Sequence, residues 1–473
     1  MLAFSIPHRL ANFMIRFLVV VAGLAAAFLQ PITSAAQSTR PTGATNSTLQ
    51  VATFDVDATP PIGSLLAYDP VTNKWDLGLR ARGIALLGAG EPIVLCAVDW
   101  IGIANGGHDA FVAALAQAAQ TSPQRVAVHA LHQHDAPDCD FSAEEILKSA
   151  GLSPAQFDSR FQRDLIARLA AALREGLQHA QPVTHLGLGD ARVEKVASNR
   201  RILGTDGKVR DTRWSATTDP KVRAEPEGLI DPLVSLVSFW NGEQPVAVLS
   251  YYATHPQSYY RTGIPNPDFP GVARFLRQMA VPAALHVHFD GAGGNITAGK
   301  YNDGSRTNRL VLAERLADGM RRAWESTKRQ PIAASDVNWH VEPVTLPLAK
   351  YLSVEKLEAQ LAANDKEFNA SRLAFARRCR DGNKIEVSCL SLGKARIVHL
   401  PGESFVEYQL AAKAARPDLF VAVAAYGDYA PWYVGTAIAY EQGGYETSPS
   451  ASNVAPEVES VLMSAIRKVL EAK

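Results

Sequence analysis

The chain has 473 residues, 47 Lys+Arg against 47 Asp+Glu, 47% hydrophobic and 20% charged residues. That composition fits a packed globular protein and excludes a disordered one, and the zero balance gives no long-range pull towards nucleic acid or anionic lipid. Four cysteines exclude a disulfide scaffold.

In chain order, residues 1–36 read as a signal peptide. Arg9 and Arg16 form a weak basic n-region, and Phe17 to Leu29 is an apolar stretch too short to span a bilayer comfortably. Ser34, Ala35 and Ala36 then offer small residues for cleavage. Export to the periplasm or beyond is expected, with no transmembrane anchor after cleavage. Residues 37–48, rich in Ser, Thr, Gly and Asn, read as a flexible leader. No composition break divides 49–473, so one domain is expected there, and no internal repeat is visible. Strands are predicted at 49–56, 82–88, 93–99, 125–132, 183–190, 234–240, 246–254, 284–289, 385–391, 394–400 and 419–425. Helices are predicted at 107–120, 154–179, 270–279, 306–328, 353–378, 403–415 and 455–471. The polar stretch 199–230 reads as a long surface excursion. The class is α/β (α+β), a mixed β-sheet core flanked by helices.

Polar residues fall where the apolar strands end. In RVAVHALHQHDAP (125–137), a strand that persists would turn His132 and His134 to one side. His-x-His at a strand end suits a metal ion, and hydrogen-bonded histidines are the alternative. Other runs end at Asp99, at His255, in a glycine-rich turn after 289, and at Glu403. Open α/β sheets gather ligands outside strand carboxyl ends, which suggests one convergent site. Asp99 is equally explained as a solvated strand end, and Glu403 as a first-turn carboxylate of helix 403–415. The loop 427–446 carries Tyr429, Tyr433, Tyr440, Tyr445 and Trp432, a packing lid or a source of phenolic ligands. Lys300 and Tyr301 are candidates for lining the site. Cys379 and Cys389, ten apart around a turn, are a candidate disulfide in an exported chain. Cys139 reads as a free or bridged thiol near the histidines.

HQHDAP (132–137), YYATHP (251–256), the turn ending Gly294-Asn295-Ile296-Thr297, LPGE (400–403) and WYVGTAIAYEQGGYE (432–446) occur in one order. Together they resemble the neutral/alkaline, non-lysosomal ceramidase family of zinc amidases, over roughly 50–450. Partial matches at FDVDATPPIG (54–63), Asp99, SNRR (198–201) and Ile230-Asp231-Pro232 extend the likeness. The resemblance implies Zn2+ held by His132, His255, Glu403 and Tyr433 at the strand carboxyl ends. It implies His134 beside the substrate carbonyl, Tyr445 as a site tyrosine and Arg200 near the substrate. Thr297 stands where the family has a functional serine, and Asn295 where it has aspartate. The family continues into a C-terminal immunoglobulin-like domain, so the resemblance is to its catalytic N-terminal domain alone, here 49–473.

The implied activity is hydrolysis of an N-acyl amide, a ceramide-like lipid, by metal-activated water, with peripheral membrane contact at the substrate and no nucleic-acid partner. Two alternatives stand beside it. One is a zinc hydrolase of small non-lipid amides or esters. The other is a non-catalytic exported binding protein with a degenerate site.

Overall fold

The run IVLCAV at Ile93–Val98 is buried at every residue. Such a strand needs cover on both faces of its sheet. Leu95 and Ala97 enter one apolar cluster, while Val94, Cys96 and Val98 enter another, with the period-two alternation of a strand. The same division separates Val237 from Leu236 and Ile397 from Val398. The computed structural model describes residues 48–154, 157–363 and 368–472. The expected signal peptide and nearly all of the leader lie outside them. The described residues belong to one compact unit, Asn46–Lys473.

Three mixed sheets share one plan. Strands Gln50–Asp57, Arg80–Leu87 and Ile93–Val98 form an antiparallel meander, and Val126–Ala130 joins the last of them in parallel. Strands His185–Arg192, Leu233–Asn241 and Gln244–Tyr252 do the same, joined in parallel by Leu285–Asp290. Strands Val337–Val344, Ile385–Leu392 and Ala395–His399 repeat it, joined by Phe420–Ala424. Helices Asn105–Ala119, Asp268–Ala280 and Val406–Ala415 carry the three parallel crossovers. A second helix follows each, at Arg160–Gln178, Asn308–Glu325 and Val458–Glu471. It packs on the crossover helix and on the first strand of its sheet.

One face of every sheet meets a shared core, with Leu95, Leu249 and Ile397 among its members. The other face lies under its own helix pair. Each fully buried Leu, Ile or Val there contributes about 1.5–3 kcal/mol. The threefold plan is absent from the residue identities because only apolar periodicity has to recur to build it.

Every predicted strand falls on an observed one. Four expectations need correction. The helix expected at 353–378 is two helices, Val354–Ala362 and Phe368–Arg380. The helix expected from 403 starts at Val406, leaving Glu403 in a two-residue strand. The strand through 132 ends at Ala130. The four cysteines are free, so Cys379 and Cys389 make no disulfide. Both pack against one apolar cluster, where burial pushes their thiols up to about 12. No helix among the described residues is long and apolar enough to cross a membrane.

Candidate functional site

The carboxyl ends of the parallel strands from all three sheets meet. His132 follows Val126–Ala130, His255 follows Gln244–Tyr252, and Glu403 follows Ala395–His399. His132 is not placed by strand alternation. Its backbone turns left-handed, with φ 59°, while its amide donates to Trp100 O at 2.8 Å. Its Nδ1 lies 2.7 Å from Ile101 O. A carbonyl only accepts, so Nδ1 is a donor and Nε2 is the nitrogen turned to the cluster. Tyr426 and Trp432 are left-handed too, with φ 61° and 56°. Each such residue costs of order 1–3 kcal/mol, a strain that clusters at functional sites.

The glycine turn lets the strand ends close. A Cβ at Gly293 would stand 2.7 Å from Thr254 O, and one at Gly294 would stand 2.2 Å from Glu403 O. Only glycine tolerates those approaches, and they bring the segments of His255 and Glu403 together. Glu403 is also the direct register partner of Tyr433 in a two-stranded parallel bridge.

The side chains form one buried cluster. His132, His134 and His255 bring ring nitrogens within 4.8 Å of one another. His134 Nε2 lies 3.1 Å from His255 Nε2. Glu403 Oε2 lies 3.3 Å from His132 Nε2 and 3.8 Å from His255 Nδ1. Glu403 Oε2 and His255 Nδ1 are buried without hydrogen-bond partners. Orphaned polar atoms of this kind are costly unless something further satisfies them. Donors placed ~2.0–2.2 Å from one tetrahedral ion sit roughly 3.3 Å apart, so the cluster fits a metal ion. Burial, then the charges of His132 and Arg200, hold His134 and His255 well below the ordinary imidazole value. Both stay neutral, the state a metal ligand needs.

The supporting shell is specific. Tyr429 donates to Glu403 Oε1 at 2.7 Å. Arg200 Nη1 donates to the Tyr433 hydroxyl at 2.8 Å, and Arg200 Nε lies 3.3 Å from Glu446 Oε1. Glu446 is fully buried and pairs with Arg201 at 3.0 Å as well. The Tyr433 ring lies parallel to that of His255 at 6.3 Å. His134 Nδ1 is met by Tyr68 OH at 3.1 Å and Gln257 Nε2 at 3.0 Å. Tyr445, 38% exposed, stands at the mouth 5.7 Å from the Tyr433 ring.

The sequence singled out His132, His134, His255, Glu403, Tyr433, Arg200 and Tyr445, and the structure gathers all seven. His134 joins the same cluster through Nε2, beside His255 Nε2. Thr297 is fully buried, and its hydroxyl donates to Trp214 O and accepts from Gly299 N. Asn295 accepts from Val406 N at 2.9 Å and donates to Glu407, tying the turn to the start of a helix. Asp99 forms a buried bidentate pair with Arg274 at 2.7 and 2.6 Å. Lys300 Nζ donates to the carbonyls of Arg223 and Glu225, and Tyr301 donates to Glu227. Tyr68, Gln257 and Glu446 were missed. Their only sequence signal is position, in a loop, one turn after His255 and beside Tyr445.

Two solved structures are similar in fold. One, described as ceramidase complexed with C2, has a TM-score of 0.64 at 15% identity, covering 90% of this chain and 75% of that one. The crystal structure of neutral ceramidase from Pseudomonas aeruginosa gives 0.66 at 15% identity, covering 90% and 74%. The chain has the neutral ceramidase fold. No protein-family model matches it, and no curated protein does.

Proposed function

We propose that the protein is an exported, zinc-dependent amidohydrolase that cleaves an N-acyl amide. The observation that carries this reading is the pair of orphaned buried atoms, His255 Nδ1 and Glu403 Oε2, facing His132 Nε2. The ceramidase fold supports it. His132, His255, Glu403 and Tyr433 would hold the ion. When bound, zinc supplies Lewis-acid polarisation of a carbonyl and a water acidified to a pKa of about 7.

The chain's own residues supply the rest. Tyr429 fixes the Glu403 carboxylate, and Ile101 O fixes the His132 tautomer. Such outer contacts orient ligands and raise their basicity. Arg200 orients the Tyr433 hydroxyl and brings positive charge to an otherwise buried phenol. His134, gripped at Nδ1 by Tyr68 and Gln257, keeps Nε2 directed at the cluster. It is placed to hydrogen-bond the substrate carbonyl and to pass a proton to the leaving amine. Tyr445 at the mouth offers a second donor to a developing oxyanion, a contact typically worth ~2.7–4 kcal/mol.

The test is a pair of variants. His132→Ala is expected to lose zinc and hydrolysis together. His134→Ala is expected to keep stoichiometric zinc and lose most activity. Zinc content by elemental analysis, beside amide turnover, checks both. Zinc lost from His134→Ala would move that residue into the ligand set, and full activity in a chelated, metal-free sample would overturn the reading.

A further inference from the structure

Two loops form a rim beside the histidines, and each is tied down. One is 58–79, between the first two strands of the first sheet. The other is 256–267, which follows His255 and leads into helix Asp268–Ala280. Thr72 N and Asn73 N donate to Gly263 O at 2.8 and 3.3 Å, so the loops hold each other. Thr262 N and Oγ1 donate to the two carboxylate oxygens of buried Asp135, at 3.2 and 2.9 Å. Gly263 N donates to Asp69 Oδ2 at 3.0 Å.

Each loop brings a partly exposed tyrosine to the site. Tyr68 and Tyr260 meet with 4.9 Å between ring centres. Both flank His134, Tyr68 stacked on it at 5.6 Å and Tyr260 edge-on at 5.4 Å. Tyr68 also lines a cavity of about 300 Å3 together with His132, His134, Glu403, Tyr429 and Tyr445.

Arg261 sits on this rim, exposed, with a left-handed backbone of φ 62°. Such a backbone persists only where its surroundings over-determine it, and strain of this kind clusters at ligand sites. Here the ring contacts of Tyr260 hold one side, and the hydrogen bonds of Thr262 and Gly263 hold the other. Arg261 Cζ lies 5.2 Å from the Tyr68 ring centre and 5.6 Å from that of Tyr260. Among the described residues no carboxylate pairs with its guanidinium and no hydrogen bond engages it. Unpaired surface arginines are ordinary. This one stands apart because the two rings that hold it are the two that pack on His134. Arg200, the other arginine of the site, is buried and engaged by Tyr433 and Glu446. Arg261 therefore keeps its N–H donors unspent. Aromatic faces attract the cation and reduce the freedom it would lose on binding. A guanidinium fork matches a carboxylate through two parallel hydrogen bonds.

We infer that the cleaved amide carries a carboxylate a few bonds from the scissile bond, and that Arg261 receives it at the rim while the amide lies at the histidines. This rests on the amidohydrolase reading above. The experiment assays the full-length zinc-loaded protein on N-hexanoylglycine, N-hexanoyl-γ-aminobutyrate and glutaranilic acid, which set the carboxylate at different spans on either arm. Each acid is paired with its neutral primary carboxamide, and release of hexanoate or aniline is read. At least one acid should exceed its carboxamide about tenfold in kcat/KM, because a site built for a polar group rejects the analogue lacking it. Arg261→Gln should bring that ratio close to one, chiefly through KM, and Arg261→Lys should keep part of it. A merely structural role for Arg261 would move acid and carboxamide alike and leave the ratio standing. Acids no better than their carboxamides, or a preference that survives Arg261→Gln, overturns the inference. If nothing in the panel is hydrolysed, the amidohydrolase reading fails instead, and calorimetry with the same pairs decides the rim alone. Tighter binding of an acid than of its carboxamide, lost in Arg261→Gln, supports the site. Equal binding of the two, or none, overturns it.

Discussion

At the scale of single residues, the site is governed by atoms that hold other atoms. Tyr429 has no place among the ligands implied by the sequence, yet its hydroxyl grips Glu403 Oε1 at 2.7 Å. Losing such a contact typically costs 10–100-fold in metal affinity. Tyr429→Phe is therefore expected to weaken zinc binding about 10–100-fold with the fold retained, measured by competition with a chromogenic chelator. An unchanged affinity would reduce Tyr429 to a pocket wall. The left-handed backbones of His132, Tyr426 and Trp432 belong to this scale as well. Their strain is met by packing around them, including the His132 ring stacked on Tyr426 at 4.9 Å.

At the scale of elements, the question is what joins the three sheets at their carboxyl ends. Asp99, just past Ile93–Val98, reaches Arg274 on helix Asp268–Ala280 with both of its Nη nitrogens engaged. Its Oδ2 also accepts from Arg80 N at 2.9 Å. Both side chains are at least 96% buried. Asp99→Ala would leave Arg274 buried and unpaired, which typically costs 3–5 kcal/mol, roughly the penalty expected here in urea unfolding. A loss under about 1 kcal/mol would mean that solvent reaches Arg274 and the pair is not a joint. The same scale explains the two-residue strands. Glu403–Ser404 against Tyr433–Val434, and Ile296–Thr297 against Ser198–Asn199, fix the register of loops that carry Glu403, Tyr433 and Arg200.

At the scale of the whole molecule, buried titratable groups set how stability follows pH. Burial lowers His129 and His286 to about 4 and His288 to about 3. Between pH 6.5 and those values the unfolded chain binds protons that the folded chain refuses, so stability falls on acidification through that window. Asp140 works in the opposite sense. Burial raises it to about 7, so its ionisation lowers stability as pH rises from about 4 to 7. His134, His255 and His399 are lowered by burial in the same way, while Asp135, Asp290, Glu386 and Glu407 are raised as Asp140 is. With the histidines in the majority, a net loss of stability from pH 6.5 to 4 is expected in urea titrations. Asp140→Asn keeps a helix cap and should steepen that loss. A stability that rises on acidification to pH 4 would contradict these assignments.

Much of this was legible in the chain itself. Fully apolar runs such as IVLCAV announce strands covered on both faces, because nothing else buries every residue of so short a segment. His132, His255 and Glu403 stand out because each follows such a run at a turn. The strand Val337–Val344 was missed because it is half exposed and interrupted by Glu342 and Pro343, so neither alternation nor an apolar run marks it. Helix Phe141–Ser149 was missed because nine residues give too little period. Local pattern determines which segments become strands and helices and which of them end in chemistry, since backbone sterics and apolar periodicity act over a few residues. Tertiary structure alone decided that three sheets share one core, that Asp99 binds an arginine rather than joining the histidine cluster, and that Tyr429 and Arg200 hold Glu403 and Tyr433. It also decided that Asp140 ties helix Asn105–Ala119 to helix Phe368–Arg380 through Asn105 and Ser371. Those outcomes depend on distances between residues remote in sequence, and such distances exist only once the core has closed.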